Sequence, residues 1–497
     1  MANEFYYCIP KSKLKNLLKL KLLLKISALL FFVQTTQFAM AQKSWTLADC
    51  INQALQNNIS IQQQSLQNKS AKADVLQSKM AALPSINAQV NNNWQTGFNI
   101  NPKTNLPEEN LTFQTNSFGV SASMPLFNGF QTSNTMRLKL SDYKVSHFDL
   151  ESTKNTIKLN VAAAYLQVLQ QSETVEAALS QVKATRAQVQ RQQKMYDFGG
   201  LNKSKLMQVI AQLTSEELNL ISAENNLSQS YLDLWQMIDI KPDTINKVAK
   251  LDLSSSNLQE ANKSVELIYV EFEKQSPDVL AAQQRLRSAD LQRYIALGGR
   301  SLRLNLNASL SSFYSSLSTQ NTAYTTIENQ PIGYWNNSGT PITVYSNQSY
   351  KIPSASEVIS LSNQFNKNLG TTVGFTLSLP IFNSWNVNTN IQKSSIQHEI
   401  SRLNDKQVKQ ILFKNVTQAY FNYKNAMKKL DASQNNLFAN QEAYDISQKQ
   451  FELGALNVGD YLLSKNNLIK AETALLQSKY ELIFRNKILH FYLGKEL

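Results

Sequence analysis

The chain has 497 residues, 42% of them hydrophobic and 17% charged, with a net charge of +13 and two cysteines. The basic excess is spread along the chain rather than gathered in one patch, which excludes a concentrated nucleic-acid footprint. Beyond the first 41 residues no stretch approaches the ~20 consecutive apolar residues of a membrane helix, so a membrane contact there requires strands closed into a barrel.

The chain opens as a targeting segment, residues 1–41. Lys11, Lys13, Lys15, Lys19, Lys21 and Lys25 form a basic region, Ile26 to Val33 an apolar core, and Ala39-Met40-Ala41 a cleavage signal. The expected processed chain runs from Gln42; the alternative is an uncleaved basic helix on a membrane surface. Cys8 leaves with the leader. Cys50 lies in the apolar helical pattern of Leu47, Ile51, Ala54 and Leu55 and reads as a small core residue.

A first repeat occupies residues 42–250. Thr46 is a good helix N-cap, and the helical period that follows continues through Ala71, Val75 and Met80 to Pro84, where it must stop. From Ser85 the period becomes two. Ile86, Ala88 and Val90 alternate with Asn87, Gln89 and Asn91; after a polar loop holding Pro102 and Pro107, Phe118, Val120, Ala122 and Met124 alternate with Gly119, Ser121 and Ser123. Two strands of about ten residues, in a hairpin at about 85–126, have the alternation of a transmembrane barrel. A long helical hairpin then fills 131–238. Its first arm, 131–197, contains neither Gly nor Pro and would measure roughly 100 Å at 1.5 Å per residue. The Phe198-Gly199-Gly200-Leu201 turn leads to a return helix from about Asn202 to Ile238, and Pro242 and Ser254-Ser255-Ser256 mark the junction.

The second repeat, 251–497, restates the first. Pro125, Phe127 and Asn128 recur as Pro380, Phe382 and Asn383, Ala164-Tyr165 as Ala419-Tyr420, and Gly199 as Gly454, all at an offset of 255 residues. Upstream, Ala71 and Ala289 are 218 apart, so the β-hairpin at about 302–380 holds a surface loop 37 residues longer than its counterpart. Leu302, Leu304 and Leu306 alternate with Arg303, Asn305 and Asn307, and Val373, Phe375 and Leu377 form the fourth strand. A helical hairpin over 384–493 turns at Leu453-Gly454-Ala455-Leu456. A gap-free offset over more than a hundred residues means two copies of one supersecondary unit.

Four strands cannot close a membrane barrel alone and lipid does not tolerate open edges, so several chains must share one. The rival reading is a periplasmic structural or adaptor protein with long helical hairpins and a soluble β-domain. The Leu47-Ala48, Ala54-Leu55 and Asn58 phrase, the Ala82-Leu83-Pro84 strand opening, the two Pro-x-Phe-Asn strand exits, the Ala-Tyr pairs and the Gly breaks together resemble the TolC family of outer-membrane efflux proteins. The resemblance implies a mixed α and β membrane fold: a homotrimer with a twelve-stranded β-barrel, four strands per chain, continued by a periplasmic α-helical barrel. It implies a passive exit duct of a tripartite efflux or type I secretion system, in the outer-membrane lipid, docked to a periplasmic adaptor (membrane fusion protein) and an inner-membrane transporter.

By that resemblance the hairpin tips Gly199, Gly200, Leu201, Gly454, Ala455 and Leu456 are adaptor-docking sites, with Leu201 and Leu456 supplying exposed apolar surface; as plain helix ends they need glycine only for its positive φ. Asp460 is the periplasmic gate candidate, or else a first-turn carboxylate complementing the helix dipole. Family members often carry a second Asp where this chain has Leu463, and the copy-one equivalent of Asp460 is Lys205. The gate is therefore a mixed Asp/Lys ring or a partly hydrophobic constriction. Tyr165 and Tyr420 read as packing residues, and Phe127 and Phe382 as interface aromatics or junction caps. His147, His398 and His490 share no repeat-equivalent position and have no Cys or carboxylate at ligand spacing. No P-loop, Gly-x-Ser-x-Gly or His-Glu-x-x-His motif is present. Catalytic residues, cofactors, metals and nucleic-acid partners are all expected to be absent.

Overall fold

The computed structural model describes residues 44–101, 106–200, 202–241, 247–250 and 264–495. The targeting segment, Pro102, Leu201, Pro242 and Ser254-Ser255-Ser256 lie outside them. In chain order the elements are β1 (Ser44–Trp45), α1 (Leu47–Asn57), α2 (Ile59–Met80), β2 (Ser85–Asn101), β3 (Leu106–Phe127), α3 (Gln131–Asp197), α4 (Lys203–Met237), β4 (Lys247–Val248), α5 (Val265–Glu273) and α6 (Pro277–Gly298). Then follow β5 (Arg303–Ser315), β6 (Thr319–Ile327), β7 (Pro331–Asn337), β8 (Thr340–Tyr345), β9 (Tyr350–Val358), α7 (Leu361–Lys367), β10 (Gly370–Ser378), α8 (Asn386–Glu452) and α9 (Val458–Tyr492).

Repetition holds to the residue. Helices α3 and α8 both have 67 residues and α4 and α9 both have 35, each pair offset by 255; α2 and α6 both have 22, offset by 218. At each strand-to-helix junction two consecutive residues take positive φ: Gly129 (67°) and Phe130 (61°), then Ser384 (53°) and Trp385 (65°). That conformation costs an L-residue roughly 1–2 kcal/mol. Only the first copy has a glycine, because there space is also exhausted: a Cβ on Gly129 would stand 2.6 Å from the Gly298 carbonyl oxygen.

Three expectations change. The opening helix is not continuous to Pro84: Asn58 takes an extended conformation (φ −61°, ψ 126°) and separates α1 from α2. Its Oδ1 accepts from Ser60 N and its Nδ2 donates to the Met237 carbonyl, so it caps one helix while tying it to another. The strands of the first hairpin have 17 and 22 residues rather than about ten, and Pro107 lies inside β3, because the Asn/Thr/Gln-rich flanks pair as well as the apolar centre does. The long second loop is also not a loop. It folds as two antiparallel ribbons, β6 with β9 and β7 with β8, followed by α7. Its abundant Thr, Tyr, Ile and Val residues favour extended chain.

The chain divides into two compact units, each drawing on both repeats. Of the described residues, one comprises those within 44–65, 150–276 and 409–495, the other those within 66–149 and 277–408. In the first unit, the core gathers Trp45, Leu47, Cys50, Ile51, Ala54, Val161, Tyr165, Leu169, Leu234, Trp235 and Ile238. Cys50 is fully buried, as its helical pattern predicted. The Tyr165 hydroxyl donates to the Ala249 carbonyl at 2.7 Å, and burial pushes its pKa upward. Tyr165 is thus a packing residue that anchors the segment pairing β1 with β4.

The second unit holds a four-stranded antiparallel sheet in the order β10-β5-β3-β2. All four strands meet the helices at one end of the sheet, where β2 and β5 begin and β3 and β10 finish. Among the described residues, its two edge strands, β2 and β10, have no partner on their outer sides.

Candidate functional site

The register of the sheet decides which side chains share a face. Ile86 lies opposite Ala122, Ala122 opposite Ala308, and Ala308 opposite Val373. Adjacent rows add Ala88, Val120 and Leu310, then Val90 and Phe118. In antiparallel pairs, directly opposed residues point to the same side, so the four apolar sets predicted strand by strand form one continuous apolar surface. Val90, Val373, Phe375 and Leu377 on it are exposed.

The reverse face carries Asn87, Gln89, Asn91, Ser117, Gly119, Ser121, Ser123, Asn305, Asn307, Ser309, Ser311, Thr372, Gly374 and Thr376 by the same register. These residues bond across strands: Ser123 Oγ donates to Asn307 Oδ1 at 2.9 Å, Asn307 Nδ2 to Thr376 Oγ1 at 3.0 Å, and Asn91 Nδ2 to Ser117 Oγ at 3.1 Å. One side is built for hydrocarbon and the other for water. Phe127 packs edge-on against Phe130 at 5.4 Å, which makes it a junction cap, whereas Phe382 is exposed.

At the turns, Gly199 (φ 75°) and Gly454 (φ 74°) close helices α3 and α8 in matching fashion. The Gly200 and Ala455 amides donate to the Met195 and Gln450 carbonyls, five residues back, the pattern of a left-handed C-cap. Of the two leucines expected to supply apolar surface, Leu456 is half-buried and Leu201 lies outside the described residues. Instead Phe198 and Leu453, which are repeat equivalents, are 90% and 84% exposed. A residue just before a C-capping glycine has left the helix's packed stripe. The matched apolar pair at 198 and 453 was available as a signal in the sequence.

Asp460 occupies the first turn of α9. The Asn457 Oδ1 accepts from the Asp460 amide at 2.9 Å, and the Asn457 side-chain amide donates to the Asp460 carboxylate. Capping and surface display coexist, since Asp460 remains exposed, as do Leu463 and Lys205. Lys205 holds the same position in the first turn of α4, where Asn202 is the N-cap and bonds Ser204 instead. A cation there opposes the helix dipole, so helix stability does not account for Lys205.

Sequence reasoning missed a buried polar cluster in the first unit. Lys465 of α9 meets Glu216 of α4 at 3.0 Å, with each residue only 4% exposed. Thr185 of α3 hydrogen-bonds both, and Gln212 adds a 2.9 Å bond to the Glu216 carboxylate. Burial lowers the Lys465 pKa, while the Glu216 charge and hydrogen bond hold it up. The signal was present in the repeat offset: Glu216 corresponds to Ala471 and Lys465 to Ile210, two opposite charges at positions where the sister copy is apolar.

A family model described as "Outer membrane efflux protein" matches residues 50–238 and 268–495. The chain belongs to this family. Its two matched segments follow the two repeats. "Outer membrane protein TolC" of Vibrio cholerae is 25% identical over 256 residues, 51% of this chain and 55% of that protein, so the match spans little more than half of that relative. "Toxin and drug export protein A" of Aggregatibacter actinomycetemcomitans is 21% identical over 74% of this chain and 70% of that protein.

Among solved structures, CusC aligns with a TM-score of 0.72 at 17% identity over 90% of this chain and 92% of its own. The Campylobacter jejuni outer membrane channel CmeC aligns at 0.71, 17% identical, over 90% and 85%. The fold is therefore that of the trimeric outer-membrane efflux channels, with four barrel strands per chain and two internal repeats. For the family member described here, the outer membrane is the site of action.

Proposed function

We propose that the chain forms the passive exit duct of a tripartite efflux or type I secretion system, as a homotrimer docked to a periplasmic adaptor and an inner-membrane transporter. The observation that carries this reading is the sheet, apolar on one face and hydrogen-bonding on the other across all four strands. Three such sheets joined edge to edge through β2 and β10 give twelve strands with lipid outside and water within, wide enough for a channel. A soluble β-domain would turn its apolar face inward, and here that face is open to the surroundings. The exposed Phe198 and Leu453 give the tips apolar purchase for a helical adaptor, and Asp460, Lys205 and Leu463 are the candidates for a periplasmic constriction.

Light scattering and negative-stain imaging of the detergent-extracted protein test the duct. A trimer carrying a stalk of about 100 Å is expected. A monomer or dimer that needs no detergent would return the chain to the periplasmic scaffold reading.

A further inference from the structure

The water-side face of the sheet is almost free of charge. Over the part of the sheet nearest the helices, residues 85–93, 115–125, 303–311 and 370–378, every residue assigned to that face is Ser, Thr, Asn, Gln, Gly or Pro, with one exception, Arg303; Phe313, Phe113, Leu111 and Glu108 lie on the same face farther from the helices. Arg303 opens β5 and pairs with Ser378 of β10. Alternation puts it on the side of Asn305 and Asn307, and its side chain is exposed at the helix end of the sheet.

Among the described residues no carboxylate is paired with it. Residues 80–107, 110–141, 298–327 and 358–398 contain no Asp or Glu at all. The acids of the strand region, Glu108, Glu109, Glu328 and Glu357, all lie past the other ends of β5 and β10. The neighbouring cation Arg300 hydrogen-bonds the neutral side chain of Asn388 at 2.7 Å. Hydrogen bonding inside the sheet does not require a cation at 303, because the Asn307, Ser123 and Thr376 side chains satisfy one another.

We infer that Arg303 forms a ring of three guanidinium groups, one per subunit, at the inner mouth of the barrel, and that this ring favours passage of anions and of cargo bearing carboxylate, phosphate or sulfate groups. A ring of like fixed charge in a narrow water-filled pore concentrates counter-ions and repels co-ions. Here the barrel wall at the helix end of the sheet offers only neutral dipoles beside Arg303, so three cations dominate the field at that level. Arginine suits the role because it stays charged at any physiological pH and binds oxyanions through two parallel N–H donors. The inference rests on the duct reading and adds a selectivity to it.

The test is the reversal potential of purified trimers in planar bilayers under a gradient of 0.1 against 0.01 M KCl, where the Debye length is about 10 to 30 Å. A background of Asp460→Asn with Lys205→Gln removes the other proposed charged groups. In that background, Arg303→Gln is expected to lower the chloride-to-potassium permeability ratio by roughly twofold or more, Arg303→Glu to lower it further, and Arg303→Lys to keep it near the parent value. Conducting trimers whose reversal potential is the same for Arg, Gln and Glu overturn the ring and leave the duct standing. Trimers of the Arg303 parent that never conduct overturn the duct, and the ring with it. Circular dichroism and light scattering of each variant establish that folded trimers are being compared.

Discussion

Lys465 Nζ and Glu216 Oε1 stand 3.0 Å apart, on helices from different repeats, with almost no access to solvent. Removing one partner strands a buried charge, which costs about 3–5 kcal/mol. Lys465→Met or Glu216→Gln should lower the unfolding midpoint markedly. The double variant Lys465→Met with Glu216→Leu should recover most of the loss, since a well-packed apolar pair often does as well as a buried ion pair. Denaturation followed by helix circular dichroism measures this; additive losses in the double variant would mean the two charges are not coupled.

A second ion pair should show itself in acid. Glu481 of α9 accepts a 2.8 Å hydrogen bond from Lys429 of α8, and this bond, with the Lys429 and Arg485 charges, holds its pKa below the usual carboxylate value. A carboxylate with a lowered folded pKa stabilises the fold above its unfolded pKa, and that contribution is lost as pH falls through the folded value. The effect is small because both groups are over a third exposed; such pairs contribute about 0–1 kcal/mol. Lys429→Ala should therefore lower stability slightly at pH 7 and converge with the parent below about pH 4. Parallel curves down to pH 3 would remove the pair from the acid response.

The close approach of Gly129 to Gly298 leaves no room for a methyl group. A Cβ on Gly298 would meet the Gly129 carbonyl oxygen at 2.4 Å, and Gly129 is in the left-handed region as well. Gly129→Ala should destabilise by more than the ~1–2 kcal/mol of conformational cost alone, whereas Ser384→Gly at the repeat-equivalent site should stabilise by a few tenths of a kcal/mol to about 1. Thermal melts of both variants check the contrast.

At the tips, Phe198→Asp with Leu453→Asp should abolish export while leaving the trimer folded, because both side chains are open to solvent in the isolated chain. Leu456→Asp should instead cost stability, its side chain being half-buried. Export assays beside light scattering separate the two; full export by the Phe198/Leu453 double variant would remove the tips from adaptor docking.

Asp460→Ala should alter single-channel conductance or its block by divalent cations. It should also loosen the first turn of α9 slightly, by about 0.3–1 kcal/mol, because a first-turn carboxylate that complements the helix dipole is lost while the Asn457 cap on the residue 460 amide stays. Asp460→Asn, which retains a hydrogen-bonding side chain, separates the two effects: a change in block at unchanged stability belongs to the pore.

Much of this was legible in the chain because it is governed by local periodicity. The long arm 131–197 contains no Gly or Pro and folds as one helix of those bounds. Alternation from Ser85 and from Leu302 marks strands, since a period of two fits only extended chain. The Asn58 break was legible only through the second repeat, where Ser276-Pro277-Asp278 enter the matching helix 218 residues on; the bond from Asn58 to the Met237 carbonyl, 179 residues away, was not. The β6–β9 ribbons were hidden because their polar composition resembles that of a loop, and extended pairing became evident only with the partner strand in place.

The sequence by itself determined the two repeats, the lengths of their helices and the alternation of each strand, all of which follow from the residue pattern within one element. Tertiary structure alone decided three things. The strand register brings four separate apolar stripes onto one face and leaves Arg303 as the charged residue at the helix end of the other. The packing of α9 on the first hairpin buries Lys465 against Glu216. The helix ends expose Phe198 and Leu453 while Leu456 is half-buried. Each depends on which elements become neighbours, and residues hundreds of positions apart are neighbours only once the chain has folded.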